Sequence, residues 1–213
     1  MTSKAKDIYD TLVSEFPNQL IEITKLSRND AANKDFIVSP VQAFNFDHIE
    51  NLGTADNKCE KSPDALFYHQ DKDILYFIEF KEGGHKRDDV RQKVHEGILT
   101  LFQYAKHRRI ATRSEFYELN IRFALVTRNK EEGTPGESFL AALEASEDVF
   151  NLKNMEGLLV EKTVVHWNPE SIYSLLHNVS GGAVDSIEWV NKAQSTRIVI
   201  PTANSATPLT ATQ

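Results

Sequence analysis

Little in this chain can cross-link it, anchor it or give it a broad cationic surface. Its 213 residues include one cysteine, Cys59, so no internal disulfide can form and a reducing compartment is expected, the cytoplasm first among them. No apolar run is long enough to span a bilayer and no apolar signal region is seen at the N-terminus, so no membrane partner is expected. Basic charge is in the minority, 24 Lys+Arg against 31 Asp+Glu for a net charge of −7. That excludes a nonspecific nucleic-acid coat protein, whose affinity depends on a wide basic face. Histidine is present without metal-ligand spacing: His95-Glu96 opens like a zinc-protease motif, but Leu99 stands where the second histidine is required. There is no Gly-x-Ser-x-Gly elbow, no glycine-rich phosphate cradle and no internal repeat.

What the chain does have is enough apolar content, 40%, to bury a sizeable core. One domain over residues 1–200 is expected, with the Thr/Ala/Ser-rich stretch 201–213 a disordered tail. The minority charge is also unevenly spread. Lys81, Lys86, Arg87, Arg91, Lys93, Lys106, Arg108, Arg109 and Arg113 are close in sequence, so a basic groove on an acidic body is available to phosphate.

The segment Ser62 to Glu82 organises the rest. Pro63 to Tyr68 and Ile74 to Lys81 are rich in aromatic and branched residues, and the polar run Gln70-Asp71-Lys72-Asp73 separates them, which predicts a β-hairpin. With Asp71-Lys72 as its tip, Asp64 faces Glu79. Alternation along each strand then puts Asp64, Glu79 and Lys81 on one face with Leu66, Leu75 and Phe77, and Tyr76, Ile78 and Phe80 on the other. A strand apolar on both faces is a buried one, and facing carboxylates in such a strand repel unless a cation lies between them. Hard oxygen donors suit Mg²⁺ or Mn²⁺, and Lys81 would stand near any water the ion holds.

Pro63-Asp64, a spacer and Glu79-Phe80-Lys81 resemble the signature of the PD-(D/E)XK nuclease superfamily. The resemblance implies an α/β fold with a restriction-endonuclease-like core, a mixed central β-sheet flanked by α-helices. It also implies Mg²⁺, with Mn²⁺ able to substitute, held by Asp64, Glu79 and the Phe80 carbonyl, and Lys81 orienting or deprotonating the attacking water. The family often adds an acid from a helix ahead of the hairpin. Glu50 is the nearest candidate, with Asp47 and Glu22 behind it. A helix after the hairpin carries polar groups toward the scissile phosphate, a role that falls on Lys93 with Arg91 and Gln92, and on Lys86 and Arg87 ahead of them. Members of the family act on DNA and many dimerise. RNA as substrate is not distinguished.

Elsewhere, Ser3 to Phe16 predicts an opening helix capped by Ser3, and Leu20 to Leu26 a second helix or a short strand. Asp88 is the expected cap of a long helix reaching Arg109, with Val90, Val94, Ile98, Leu101 and Ala105 as its core stripe. Leu119 to Thr127 alternates cleanly and, following a long helix, is expected parallel to one arm of the hairpin. A helix over Glu137 to Ser146, one strand within Gly157 to Trp167, a helix opened by Asn168-Pro169 and an edge strand at Arg197 to Ile200 complete the expectation. Trp167 and Trp189 are the apolar candidates for a homodimer surface. A metal-dependent deoxyribonuclease is therefore expected, and the alternative is a catalytically inactive nuclease-fold protein serving as a binding module.

Overall fold

A computed structural model of the chain describes residues 3–47, 61–82, 87–128, 151–191 and 193–201. Its elements in chain order are α1 (Lys4–Glu15), β1 (Leu20–Glu22), α2 (Ile23–Leu26), β2 (Ile37–Val38), β3 (Gln42–Asn45), β4 (Ala65–His69), β5 (Ile74–Lys81), α3 (Arg87–His107), α4 (Arg113–Tyr117), β6 (Asn120–Thr127), β7 (Lys162–His166), α5 (Pro169–Val179), β8 (Ile187–Val190) and β9 (Arg197–Ile200). The central sheet has six strands in the order β1-β3-β4-β5-β6-β7, and β2-β8-β9 form a second sheet. Pairing is antiparallel from β1 to β5 and parallel from β5 through β6 to β7, so the fold is α/β with a mixed central sheet flanked by helices.

Two apolar clusters lie on the two faces of that sheet. On one, Leu66, Leu75, Phe77, Ile121, Phe123 and Leu125 pack with Ile8 and Leu12 of α1 and Val90, Val94 and Leu101 of α3. On the other, Phe67, Tyr76, Ile78, Phe80 and Val126 pack with Ile172 and Leu176 of α5 and with Ile37, Ile187 and Ile200 of the second sheet. β5 sits at the centre and is covered on both sides, which is why its sequence is apolar at nearly every position. The turn from antiparallel to parallel pairing occurs at β5 because α3 returns the chain to the same end of the sheet before β6 begins.

Local chemistry accounts for most boundaries. Ser3 accepts the Lys6 amide at the start of α1, and Asn168 accepts the Ser171 amide ahead of Pro169 in α5. The hairpin holds the expected pairing, with Ala65 opposite Ile78 and Leu66 opposite Phe77. Its tip is wider than expected: pairing ends at His69 and Ile74, leaving Gln70 to Asp73 as the loop, with Asp73 in the left-handed region at φ 52°. Both tips keep the same residues opposed, so the faces are unaffected. Leu20 to Leu26 is a strand followed by a helical turn, and α3 begins at Arg87, with Asp88 and Asp89 inside its first turn. Leu158 lies outside β7 and is exposed, because Gly157 at φ 72° turns the chain there. Trp189 packs edge-on against Phe36 within the molecule. The helix expected over Glu137 to Ser146 and nearly all of the expected tail lie outside the described residues. Among the described residues, no helix is long and apolar enough to cross a membrane.

Candidate active site

Asp64 immediately precedes β4, one step beyond the last hairpin pair, so the register brings it opposite Glu79. Pairing of β4 with β5 ends at Ala65, and the Asp64 carboxylate takes over: its Oδ2 accepts the Phe80 amide at 2.7 Å. In an extended strand the N–H and C=O of one residue leave on the same side, so the Phe80 carbonyl is directed toward the Asp64 end of the hairpin as well.

Glu79 lies on the α1/α3 face of β5 and has no solvent exposure. Between it and Asp64 stands one ammonium group: Lys93 Nζ is 3.1 Å from Asp64 Oδ1 and 2.9 Å from Glu79 Oε2. The other Glu79 oxygen, Oε1, faces Lys81 Nζ at 2.8 Å in an ion pair whose angles fall short of a hydrogen bond. Lys81 is also 3.9 Å from Asp89 Oδ2, and Lys61 Nζ donates to Asp89 Oδ1 at 2.6 Å. Acids and lysines therefore alternate along a single path, Lys61, Asp89, Lys81, Glu79, Lys93, Asp64. The path starts at a half-exposed lysine at the surface and passes through Glu79, a carboxylate with no solvent exposure, before ending at the partly buried Asp64.

Burial sets the proton affinities. It pushes the Glu79 carboxyl up to about 8, and the neighbouring Asp64 charge pushes the same way, against the two lysines. Asp64 is raised for the same first reason, although Lys93 and the Phe80 N–H oppose it. Burial alone would lower Lys93, but the two carboxylates outweigh it and hold the ammonium charged above its ordinary range. Asp89, nearer solvent, is lowered chiefly by its hydrogen bond from Lys61.

α3 delivers Lys93 because the helix is seated tightly on the start of β4. Gly97, one turn beyond Lys93, has no Cβ, and a Cβ there would lie 2.5 Å from Pro63 Cδ. Val90, Val94, Ile98 and Leu101 are buried on the core side of the same helix and fix its rotation. Pro63 and Asp64 are adjacent, so the contact that admits Gly97 also sets the distance from Lys93 to Asp64.

Asp64, Glu79, Lys81 and Lys93 are thus brought together. Other expected residues are not. The Arg91 guanidinium donates to the Asn151 carbonyl, and Gln92 is exposed and donates to Glu96. Asp47 is exposed and accepts from Ser62, and Glu22 is part of β1, the sheet's outer strand. Glu50, Lys86 and the Arg87 side chain lie outside the described residues. Asp89, Lys61 and Gly97 belong to the site without having been expected there. Asp89 was within reach of sequence reasoning, since it precedes Lys93 by one helical turn.

Among the described residues no group of three or more His, Cys, Asp and Glu side chains could hold a metal. A hard divalent cation does not require one: Mg²⁺ is commonly held by one or two carboxylates and completed by carbonyl, water and phosphate oxygens. Two features here fit such an ion. The two facing carboxylates already share a cation, the Lys93 ammonium, and Glu79 Oε1 is buried with no hydrogen-bond donor aligned to it. No protein-family model matches the chain, and no curated protein or solved structure matches it.

Proposed function

We propose that this protein is a metal-dependent phosphodiesterase that hydrolyses DNA, built on a restriction-endonuclease-like core. The observation that carries the reading is the juxtaposition of Asp64 and Glu79 around one cation with Lys81 alongside. The order of elements agrees with it: an antiparallel hairpin β4-β5 bearing the acids, a helix α3 packed on their face, and a parallel strand β6 beyond.

Asp64, Glu79 and the Phe80 carbonyl would hold Mg²⁺, or Mn²⁺ in its place, and the ion would supply neutralisation of the developing phosphoryl charge and a more acidic water. The remaining work belongs to the chain. Lys81 is about a quarter exposed and anchored on Glu79, so its ammonium stands at the boundary between the buried acid and solvent, where a water can be oriented for in-line attack on phosphorus. The same ammonium can stabilise the pentavalent oxygens, and Asp89 steadies it from the outer side. Hydrolysis breaks one P–O ester bond and forms a P–O bond to the water oxygen, leaving a phosphomonoester and an alcohol. The attacking water loses a proton and the leaving alkoxide gains one, so the site needs a group on each side of phosphorus able to exchange protons.

A second reading has its own support: Lys93 bridges both carboxylates and Lys81 pairs with Glu79, so two lysines balance the two acids without any added ion, as expected of a catalytically silent binding module. Cleavage assays separate the two. With Mg²⁺ or Mn²⁺ the wild-type protein should cut double-stranded, single-stranded or branched DNA, and Lys81→Ala should lose about 100-fold or more, the scale for a positioned acid–base or electrostatic group. RNA belongs in the same panel as the competing substrate. Wild type and Lys81→Ala equally inert on every substrate would refute the nuclease reading.

A further inference from the structure

We propose that Lys93 is a tethered cation that competes with the divalent ion for Asp64 and Glu79, so that the metal enters only as the Lys93 ammonium leaves. The inference rests on the metal-dependent reading above and concerns how that site is opened.

Its basis is geometric. The Lys93 ammonium lies within hydrogen-bonding distance of one oxygen on each carboxylate, which is the position a bridging cation would take. A divalent ion and an ammonium group cannot share those oxygens, since like charges at such separations repel. The lysine cannot be displaced by withdrawing the helix that carries it. Withdrawal would pull Val90, Val94 and Leu101 out of full or nearly full burial against the sheet, and the close approach of Gly97 to Pro63 blocks movement the other way, so α3 has one seating. Release must come from the side chain, whose flexible four-carbon stem can swing the ammonium to a new partner. Lys81 is not an equivalent competitor. It contacts only Glu79 of the pair, and Asp89 offers it a place nearer solvent.

Two consequences distinguish this role from a purely structural ion pair. Removing the Lys93 charge should strengthen binding of a divalent ion, whereas loss of a structural strut would weaken every property of the site together. Replacing lysine by arginine should weaken metal binding, because a guanidinium grips carboxylates with a fork of donors and is harder to displace.

Calorimetric titration of Mn²⁺ into wild type, Lys93→Gln, Lys93→Arg and Asp64→Asn tests the proposal, with melting curves recorded in chelator and in Mn²⁺. Lys93→Gln is expected to bind Mn²⁺ about tenfold more tightly than wild type, within the range usual for coupled ligands, and Lys93→Arg several-fold more weakly. In chelator Lys93→Gln should melt lower than wild type, and Mn²⁺ should raise its melting temperature further than it raises that of wild type. Asp64→Asn should abolish binding. If wild type binds Mn²⁺ while Lys93→Gln binds equally or less tightly, the competition is refuted and the metal-dependent reading stands. If neither protein binds Mn²⁺, both fall. If Lys93→Gln does not fold, Lys93→Arg decides alone: affinity equal to or above that of wild type overturns the proposal.

Discussion

Gly97→Ala sets two physical effects against each other, and the sign of the result decides between them. Alanine is the best helix former, and replacing a glycine within α3 should stabilise the chain by about 1 kcal/mol if intrinsic propensity were all that mattered. The structure argues the opposite. The new Cβ would lie 2.5 Å from Pro63 Cδ and 3.2 Å from Pro63 Cγ, and these are ring atoms that cannot rotate away. Restoring an ordinary contact of about 3.5–4 Å requires α3 or the start of β4 to move by roughly 1 Å. Overpacking of this kind costs about 1–3 kcal/mol. After the propensity gain, a net loss of about 1 kcal/mol remains, which for a chain of this length corresponds to a melting temperature lower by about 2–4 °C. The functional effect should be larger than the thermal one. The displaced contact lies beside Asp64 and one turn from Lys93, and a misplacement of about 1 Å in a catalytic constellation can cost about 100-fold in rate. Thermal melting and DNA cleavage measured on the same preparation check both parts. A Gly97→Ala protein that melts higher than wild type and cleaves normally would refute the claim that close helix seating positions the site.

Two further outcomes follow from buried charge. Glu79 titrates near 8 in the folded chain against an ordinary value of 4.5, so between those limits the folded state holds a proton that the unfolded state has released. Stability of the metal-free protein should therefore fall as pH rises through that window, with Asp64 contributing in the same direction, and Glu79→Gln should flatten the profile measured by denaturation in chelator; an unchanged slope in the variant would refute the assignment. On the opposite side of the sheet, Arg128 is 3.3 Å from Glu82, both side chains are under a tenth exposed, and the guanidinium lies 4.5 Å from the Phe36 ring centre and 4.8 Å from that of Trp189. Arg128→Ala should cost about 3–5 kcal/mol by stranding a buried carboxylate, and Arg128→Met with Glu82→Gln should recover much of it; a single variant within about 1 kcal/mol of wild type would show that Glu82 does not depend on Arg128 for its charge.

What could be read from the chain without a structure was what depends on local periodicity. The hairpin register follows from alternation, because a slip of one residue would turn Leu66, Leu75 and Phe77 outward, and this is why Asp64 and Glu79 could be placed opposite each other even though the tip proved wider. The parallel setting of β6 followed from the length of α3. The bridge made by Lys93 was not legible in the same way. The resemblance gave Lys93 only an expected phosphate contact, and its place between two carboxylates depends on how closely α3 approaches Pro63, of which Gly97 carries no local sign. The short helix α4 was overlooked despite a readable capping box, Thr112 with Glu115. The second sheet was beyond local reasoning, since the two residues of β2 pair with β8 from the far end of the chain.

The alternation of charge within the site bears on how an acidic protein could handle a polyanion. In formal charge, the measure that gives −7 for the whole chain, Lys61, Lys81 and Lys93 are matched by Asp89, Glu79 and Asp64, so the −7 is carried elsewhere on the chain. A neutral cleft on an acidic body gains little from long-range attraction to phosphate. On the proposed reading the attraction arises only when a divalent ion takes up Asp64 and Glu79. The lysine that had bridged them is then set free beside a neutralised acid pair, and the site changes from balanced to cationic without any movement of the backbone. Metal and phosphodiester would then each favour the other's binding, by reciprocal coupling. In such a site the ion would create the anion-binding surface as well as activate the water within it.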